Sequence, residues 1–529
     1  MALTMQTGTH AAAIDAAWDE ARAADVAGRL RAGDATVFGD HADAAAPWIG
    51  WLRAPDEMRA HQDAVAALVE DARAQGVRHA IVLGMGGSSL CPEVTRTTYG
   101  SPSGIELRVL DSTDPANVAA VAEGTDPATT LYIVASKSGT TVEPTSFMNH
   151  FLDSATRALG AEAAAKRFVA ITDTGTKLAA EARERGFRAV FENPADIGGR
   201  YSALSLFGLV PMALAGVPIA SVLDRAATAK ASDDGAHLGV ALGTLGLAGR
   251  DKVTVLVDPP LSSFGLWVEQ LVAESLGKLG KGLVPVAQEP GGLPADYGDD
   301  RVFVYCRLTG DLDLDTRALA GAGHPVFTLP VADAVDLGAL YMTWELATAA
   351  AGSVLGVNPF DQPDVQAAKD ATVAVLSQME RGEEPEDVRQ PVEAVRDAVA
   401  QVGPGDYLAF LAFCPNSPAA DRAAHALRLA ARRRTGAATT FGYGPRFLHS
   451  TGQLHKGGPD NGVFVQFVSD DAADIPIPGT PHTFGALKRA QACGDAAALA
   501  GRGRRLVRIG LGPDPVAGLT AALAALEND

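Results

Sequence analysis

A turn rich in hydroxyl groups follows a short apolar segment, and its residue types could bind phosphate. The apolar residues 131–135 lead directly into Ser136, Lys137, Ser138, Gly139, Thr140 and Thr141. Where a buried strand ends and a helix begins, free backbone N–H groups and the positive end of the helix attract an anion. The spacing differs from that of a nucleotide P-loop. The turn therefore predicts a site for a small phosphorylated molecule; the alternative is a polar loop that only caps a helix.

Two glycine-containing segments also adjoin apolar residues. The first, residues 84–89, includes Gly87 and Ser88, and the second, residues 198–202, includes Arg200 after two glycines. Glycines permit a ligand to approach the backbone closely, and a guanidinium stays protonated and donates in a fixed fork. Arg200 is therefore a candidate for stabilising negative charge, and the alternative is a surface salt bridge at the start of a helix.

A dinucleotide-binding turn is an alternative interpretation of residues 84–89. Asp111, which follows the next predicted strand, would then bind the ribose. Ser89 stands where the third glycine of that fingerprint is required. The imperfect match makes this alternative weak.

Two residues, Glu274 and His449, could carry acid–base chemistry. Gln270 and Glu274 are one turn apart on a predicted helix and share a face. A carboxylate there could serve as a general base, although a glutamate on an amphipathic helix is more often a solvated surface residue. His449 could exchange a proton near neutral pH.

In their order along the chain, these segments resemble the signatures of phosphoglucose isomerase. The motifs are residues 84–90, 136–141, 198–202, 273–278 and 448–457. The resemblance covers roughly residues 60 to 495 and is closest to the isomerase half of fused transaldolase–phosphoglucose isomerase proteins. The chain lacks the additional barrel-sized stretch that a transaldolase needs.

The resemblance implies a role for each candidate catalytic residue. Glu274 would move the proton between C1 and C2, and Gln270 would contact the substrate. Arg200 would stabilise the enediolate. His449 and Lys488 would open the sugar ring. The assignment of Lys488 is based only on a Gly-x-x-Lys pattern in a predicted helix. This chemistry needs no metal and no other cofactor, and we expect none.

The resemblance also assigns the substrate-binding residues. Gly87 and Ser88 would contact the sugar, and the phosphate would bind to Ser136, Lys137, Ser138, Thr140 and Thr141. Two positions depart from the family pattern. Leu276 stands where the family usually has asparagine, and His455 comes one position early, so we interpret His455 as structural or as a neighbour of the site.

Composition excludes several classes of partner. A formal net charge of −19 and a pI near 5.0 argue against nucleic acid and anionic membranes as general partners. An anionic substrate must therefore meet a local positive pocket, to which Lys137, Arg200 and Lys488 could contribute.

The cysteines are widely spaced along the chain and form no metal-binding or redox motif. They are Cys91, Cys306, Cys414 and Cys493. We expect free thiols and a cytoplasmic protein.

Neither the N-terminus nor the longest uncharged segment predicts a membrane protein. Residues 1–31 mix acidic residues with alanines and lack the apolar region of a targeting signal. Residues 204–223 are uncharged and about as long as a membrane span. Because Pro211, Gly216 and Pro218 interrupt them, we predict two buried helices instead.

Strands alternate with helices in two blocks along the 529 residues, which indicates an α/β protein with two or more domains. The first block has strands near 79–83, 106–110, 130–135, 168–172 and 188–191. The second has strands near 252–257, 283–287, 301–306, 325–329, 406–413 and 462–467. The ligand site should lie at the carboxyl ends of the strands.

The resemblance implies two tandem sugar-isomerase (SIS) domains, each a parallel sheet covered by helices. We predict an N-terminal helical segment at 1–59, a first domain at 60–220, a second domain at 221–470 and a C-terminal segment at 471–529. A helical insertion, residues 333–402, would interrupt the second domain.

The expected activity is metal-independent, reversible isomerisation of glucose 6-phosphate and fructose 6-phosphate through a cis-enediol. The resemblance also implies a homodimer in which each subunit lends its histidine to the other's site. One alternative is dual glucose/mannose phosphate isomerase activity, because these motifs do not encode the choice of epimer. Another is a sugar-phosphate sensor without chemistry, which would require the loss of Glu274 or His449; both residues are present.

Overall fold

The computed structural model describes residues 2–527, which form parallel sheets flanked by helices and confirm the α/β class. The strands are β1 (Thr4–Gln6), β2 (His79–Gly84), β3 (Glu106–Leu110), β4 (Thr130–Ala135), β5 (Phe168–Asp173), β6 (Ala189–Asn193), β7 (Lys252–Val257), β8 (Val284–Ala287), β9 (Arg301–Arg307), β10 (Val326–Pro330), β11 (Tyr407–Phe413), β12 (Ala438–Tyr443), β13 (Gly462–Ser469) and β14 (Arg505–Gly512).

The α-helices are α1 (Ala11–Ala23), α2 (Val26–Arg31), α3 (Ala42–Ala45), α4 (Ala54–Glu57), α5 (Gln62–Ala74), α6 (Gly87–Tyr99), α7 (Pro115–Glu123), α8 (Val142–Leu159), α9 (Ala161–Ala165), α10 (Lys177–Glu184), α11 (Leu206–Ala215), α12 (Ile219–Lys230), α13 (Asp234–Leu247), α14 (Phe264–Leu276), α15 (Asp313–Gly321), α16 (Leu337–Leu355), α17 (Val365–Glu380), α18 (Val395–Val399), α19 (Pro418–Thr435), α20 (Gly452–Gly457), α21 (Phe484–Gly501) and α22 (Pro515–Glu527).

The first sheet contains the strands of the first predicted block in the order β3-β2-β4-β5-β6. All of its pairs are parallel, and β4 is buried along its whole length, as expected for an apolar strand covered by helices on both faces. Gly84 at the end of β2 pairs with Ala135 at the end of β4. The turns after these two strands therefore lie side by side at the carboxyl edge of the sheet.

The strands of the second predicted block are present, but they form two sheets. One has the order β1-β10-β9-β7-β8, with β1 antiparallel to β10. The other, which we call the C-terminal sheet, has the order β12-β11-β13-β14. Sequence analysis did not identify β1, β12 or β14.

A buried guanidinium joins these two sheets where β8 contacts β12. Arg428 is almost completely buried and donates hydrogen bonds to the backbone oxygens of Ala287, at 3.0 Å, and Thr439, at 2.5 Å. Because a side chain occupies this position, no backbone ladder continues from β8 to β12, and the strands of the second block divide into two sheets.

Two helical regions match the sequence pattern. Residues 333–402 contain α16, α17 and α18. The uncharged residues 204–223 form α11 and the beginning of α12, which separate at Gly216 and Pro218 as predicted. Pro211 was also expected to interrupt the segment, but it lies within α11. Within residues 2–527, no helix is long and apolar enough to cross a membrane. The domain boundaries given above stay predictions.

Candidate active site

The hydroxyl-rich turn lies between β4 and α8, and several of its groups are not used by the fold. Ser136 is buried, and its Oγ has no hydrogen-bond partner among the described residues. Thr141 precedes α8 without a side-chain capping hydrogen bond. The hydroxyls of Ser138 and Thr140 are 3.0 Å apart. These groups surround the N-terminus of α8, which favours an anion.

Lys137 lies beside this turn but is paired with an acid. Its ammonium contacts the carboxylate of Asp173 and donates to the Ala195 carbonyl oxygen at 3.0 Å. The same ammonium lies 5.2 Å from the centroid of the Trp48 ring. Asp173 therefore offsets part of the positive charge that Lys137 brings to the turn.

The neighbouring glycine turn allows three chain segments to approach closely. Gly86 has a φ of +56°, and a Cβ there would lie 2.8 Å from Gln270 Nε2. A Cβ on Gly87 would lie 1.8 Å from the backbone oxygen of Gly199, closer than any side chain permits. Ser88 follows in the first turn of α6 and is buried. Glycine is therefore needed where the first turn meets the segment that carries Arg200.

Helix α14 brings Gln270 and Glu274 to the same place, as their spacing predicts. Gln270 Nε2 donates to Glu274 Oε2 at 3.1 Å and to the backbone oxygen of His449 at 2.8 Å. The Glu274 side chain is 14% exposed, and its Oε1 lies 3.4 Å from Arg200 Nη1. A partly exposed carboxylate beside a guanidinium is suited to proton transfer with charge stabilisation.

Arg200 is held in one position by its neighbours. It donates to Ser275 Oγ at 2.8 Å, to the backbone oxygens of Pro359 and Asp361 at 2.8 and 2.9 Å, and to Gln362 Oε1 at 3.0 Å. Its side chain is only 3% exposed. The guanidinium is therefore fixed beside Glu274 before any substrate binds.

Lys278 holds the same loop that contacts Arg200. Its ammonium donates to the backbone oxygen of Asn358 at 2.7 Å and to Asp361 Oδ1 at 2.7 Å. Burial lowers the pKa of Lys278 to about 8, with the charge of Arg200 acting in the same direction. The end of the Glu274 motif thus supports the loop that positions the arginine.

His449 forms a pair with Glu143, a residue that sequence analysis did not identify. Nε2 of His449 lies 2.9 Å from Glu143 Oε1. Burial alone would raise the pKa of Glu143, but the charge and hydrogen bond of His449 hold that pKa below its ordinary value. The available signal was an acidic residue in the first turn of α8, directly after the hydroxyl-rich turn.

Lys369 on α17 is a second residue that sequence analysis missed. Its positive charge also lowers the pKa of Glu143, and α17 contacts the turn 446–449 that carries His449. No local pattern in the sequence marks Lys369, because α17 reaches this region only through the tertiary fold.

Lys488 lies on α21 between two carboxylates. Its buried ammonium donates to Asp114 Oδ2 at 2.8 Å and contacts Asp471. One helical turn further, Gln491 Nε2 donates to Glu143 Oε1 at 2.7 Å. The hydrogen bond from α21 to the His449–Glu143 pair therefore comes from Gln491.

His455 is buried beside the C-terminal sheet, away from this network of hydrogen bonds. Its ring lies 5.0 Å from that of Phe464, and burial holds its pKa well below the ordinary histidine value. A neutral imidazole packed on an aromatic ring fits the structural interpretation of His455.

The assembled residues come from all three sheets of one chain. The two turns belong to the first sheet, Glu274 and the loop around Gln362 belong to the second, and His449 and Gln491 belong to elements of the C-terminal sheet. The result is a hydroxyl-rich turn at a helix N-terminus, a carboxylate beside a fixed guanidinium, and a separate histidine–carboxylate pair. This set can bind a phosphorylated sugar, open its ring and move a proton between neighbouring carbons.

Comparison with known proteins identifies relatives that are named as sugar-phosphate isomerases. The phosphoglucose isomerase family model matches residues 20–230. A glucose-6-phosphate isomerase of Rubrobacter xylanophilus is 29% identical over 407 residues, which cover 66% of this chain and 92% of the relative. A glucose-6-phosphate isomerase of a Synechococcus species is 31% identical over 404 residues, which cover 62% of this chain and 74% of the relative.

A solved structure supports the fold. The glucose-6-phosphate isomerase of Chlamydia trachomatis superposes with a TM-score of 0.53 at 22% identity, covering 66% of this chain and 78% of that chain. The similarity to the Synechococcus protein is long enough and close enough to show common family membership. The chain therefore belongs to the phosphoglucose isomerase family.

Proposed function

We propose that this chain interconverts glucose 6-phosphate and fructose 6-phosphate through a cis-enediol intermediate, without a metal or another cofactor. The observation that carries the proposal is the position of Glu274, 3.4 Å from the Arg200 guanidinium and linked through Gln270 to the backbone of His449. Family membership and the names of the relatives, glucose-6-phosphate isomerase, support the same substrate pair.

Binding and ring opening come first. The phosphate of the sugar accepts hydrogen bonds from the hydroxyls and backbone N–H groups of residues 136–141 at the N-terminus of α8. His449 then mediates proton transfer from the O1 hydroxyl to the ring oxygen O5 while the C1–O5 bond breaks. The product is the open-chain aldehyde, and no charge is gained or lost overall.

Isomerisation follows on the open chain. The Glu274 carboxylate takes the proton from C2, and the electron pair forms the C1–C2 double bond as negative charge develops on O1. Arg200 stabilises that charge. Glu274 then returns the proton to C1 while the O2 hydroxyl gives its proton to O1, so that C2 becomes the ketone of fructose 6-phosphate.

Two lysines are candidates to assist ring opening. Lys488, suggested by the resemblance, stays part of the proposal, but Asp114 and Asp471 already hold its ammonium. The charge of Lys369 acts on Glu143, the partner of His449. We therefore also propose Lys369 as a cation beside the ring-opening histidine.

The alternatives are less well supported. A sensor without chemistry would not need a glutamate fixed against a cation, which this site has. No contact of a described residue favours the dual glucose/mannose activity over the simple one. The homologues, named for glucose 6-phosphate, also favour the simple activity.

A direct assay tests the proposal. Purified protein is given fructose 6-phosphate or mannose 6-phosphate in the presence of a chelator, and the sugar phosphates formed are separated and quantified. We expect conversion of fructose 6-phosphate to glucose 6-phosphate with chelator present. Absence of conversion, or conversion that the chelator abolishes, would contradict the proposal, and formation of fructose 6-phosphate from mannose 6-phosphate would establish the dual activity.

Assembly and location belong to the same proposal. We keep the homodimer and the cytoplasmic setting that the sequence suggested. The contact of His449 with Glu143 and Gln270 of its own chain supports active sites completed within each subunit, in place of an exchanged histidine.

A further inference from the structure

A row of buried hydrogen bonds continues behind the His449–Glu143 pair. Thr113 Oγ1 donates to Gln491 Oε1 at 2.7 Å, and Gln491 Nε2 donates to Glu143 Oε1 at 2.7 Å. The same carboxylate oxygen lies 2.9 Å from His449 Nε2. Thr113, Gln491 and Glu143 are all nearly inaccessible to solvent.

The direction of these hydrogen bonds follows from the groups involved. An amide donates only from its nitrogen and accepts only at its oxygen. Because the Thr113 hydroxyl donates to the Gln491 oxygen, the amide presents its N–H group to Glu143. An ionised carboxylate only accepts, so the facing nitrogen of His449, Nε2, must carry a hydrogen.

We propose that Gln491, oriented by Thr113, is a positioning residue that fixes Glu143 against His449 and so keeps the hydrogen of the neutral imidazole on Nε2. Nδ1 is then the nitrogen that exchanges a proton with the substrate. The catalytic consequence rests on the proposed function, in which His449 opens the sugar ring.

The neutral amide suits this position better than a charged group. A lysine on Glu143 would form an ion pair and weaken the interaction of the carboxylate with the imidazole. Besides the hydrogen bond of His449, the positive charge of Lys369 acts on Glu143. Beyond Gln491, Asp114 is paired with Lys488, so α21 contributes a hydrogen bond to Glu143 and not a net charge.

The first test measures the tautomer directly. The 11 histidines are labelled with ¹⁵N, and the imidazole signals of His449 are assigned by their loss in His449→Asn. In the wild-type protein at a pH where His449 is neutral, we expect the Nε2–H form. In Gln491→Leu and in Thr113→Val we expect a mixture of both tautomers, whereas Gln401→Leu, which removes an exposed amide, should match the wild type.

The second test separates ring opening from proton transfer. Partners that orient metal-bound imidazoles are typically worth about 10- to 100-fold in activity, and by analogy we expect Gln491→Leu to lower kcat for glucose 6-phosphate at least about tenfold, with KM nearly unchanged. Activity with 5-deoxyglucose 6-phosphate, which lacks the oxygen that closes the pyranose ring, should fall much less.

The outcomes are distinct. A wild-type tautomer in both Gln491→Leu and Thr113→Val would overturn the proposal, as would equal losses on the two substrates. If Gln491→Leu does not fold, as judged by circular dichroism, the tautomer and the kinetics are both measured on Thr113→Val. The two proposals can also fail separately. If the wild-type protein shows no isomerase activity, the proposed function is contradicted. A changed tautomer in the variants would then still support Gln491 as the residue that fixes the imidazole.

Discussion

At the residue scale, the carboxylate of Glu274 and the guanidinium of Arg200 differ in how firmly their neighbours hold them. Four hydrogen-bond acceptors fix Arg200, which is almost fully buried. Within residues 2–527, Glu274 accepts a hydrogen bond from Gln270 and stays partly exposed. The guanidinium is therefore held more firmly than the carboxylate, which suits the proposed role of Glu274.

Glu274→Gln should abolish turnover while leaving substrate binding nearly unchanged. The amide has almost the same shape but cannot accept a proton, and a general base contributes on the order of 10² to 10⁴ in rate. Steady-state kinetics with fructose 6-phosphate measure the change. Retention of more than about a tenth of the wild-type turnover would mean that another residue is the base.

At the element scale, the junction of β4 and α8 joins the hydroxyl-rich turn to the first turn of the helix, which carries Glu143. In the proposed function, one helix N-terminus would therefore serve both the phosphate and the carboxylate that contacts His449.

Ser138→Ala combined with Thr141→Ala should raise the KM for fructose 6-phosphate and leave the fold intact. Each hydrogen bond to an anion is worth roughly 1.5 to 3 kcal/mol, and neither hydroxyl bonds to a neighbouring element. Ser146→Ala, which removes a hydroxyl bonded to the Val142 carbonyl oxygen within α8, is the matched control. An unchanged KM in the folded double variant would refute the phosphate assignment.

A buried ion pair links the two sheets that sequence analysis had placed in one. Glu289 accepts from Arg301 at 2.9 and 3.0 Å and from the backbone N–H of Thr439 at 2.8 Å. Burial opposes its ionisation, but the charges of Arg301, Arg428 and Arg432 hold the pKa of Glu289 at about 2. The carboxylate therefore compensates arginines that have no access to water.

Glu289→Gln should lower the free energy of unfolding by about 3 to 5 kcal/mol, because it leaves buried arginines without their counter-ion. The pKa of Glu289 is depressed, so its contribution is fully present above the ordinary glutamate pKa of about 4.3. That contribution is lost as the pH falls through about 2. Urea unfolding at several pH values measures the free energy of unfolding. The difference in this free energy between variant and wild type should become smaller below a pH of about 4.

The exposed pair of Arg53 and Glu57 provides the control, because exposed pairs contribute about 0 to 1 kcal/mol. Glu57→Gln should therefore change the unfolding free energy little at any pH. A Glu289→Gln variant as stable as Glu57→Gln would show that the buried pair does not stabilise the contact between the sheets.

At the scale of the whole molecule, His449 contacts groups of its own chain, Glu143 and Gln270. The C-terminal sheet contacts the first sheet through the bidentate pair of Arg446 and Asp111, at 2.7 and 2.9 Å, three residues from His449. Asn117 and Asn416 form a further contact between the same regions. These contacts bring the segment of His449 to the first sheet, where it meets Glu143.

Mixing Glu274→Gln with His449→Ala subunits tests this arrangement. If each site is built within one chain, every subunit in the mixture is defective, and we expect no recovery of activity after joint unfolding and refolding. If histidines are exchanged in a dimer, mixed dimers would each contain one intact site. Recovery of activity well above the sum of the two variants would therefore contradict sites completed within a chain.

The amino-acid sequence by itself determined those features that depend on neighbours along the chain. The apolar segments before residues 84 and 136 predicted β2 and β4, and the parallel pairing of such strands predicted that their turns share one edge. The spacing of Gln270 and Glu274 predicted a shared helix face, and the two residues are hydrogen-bonded. Interruptions at Gly216 and Pro218 predicted two helices in the uncharged segment.

Only the tertiary structure decided which charged and polar groups meet across long distances in sequence. Glu143 and His449 are 306 positions apart, and Lys488 meets Asp114 from 374 positions away. The division of the second block into two sheets likewise depends on Arg428 reaching Ala287. No local pattern encodes such contacts, because a side chain's partner is set by how the sheets pack and by the need to compensate every buried charge.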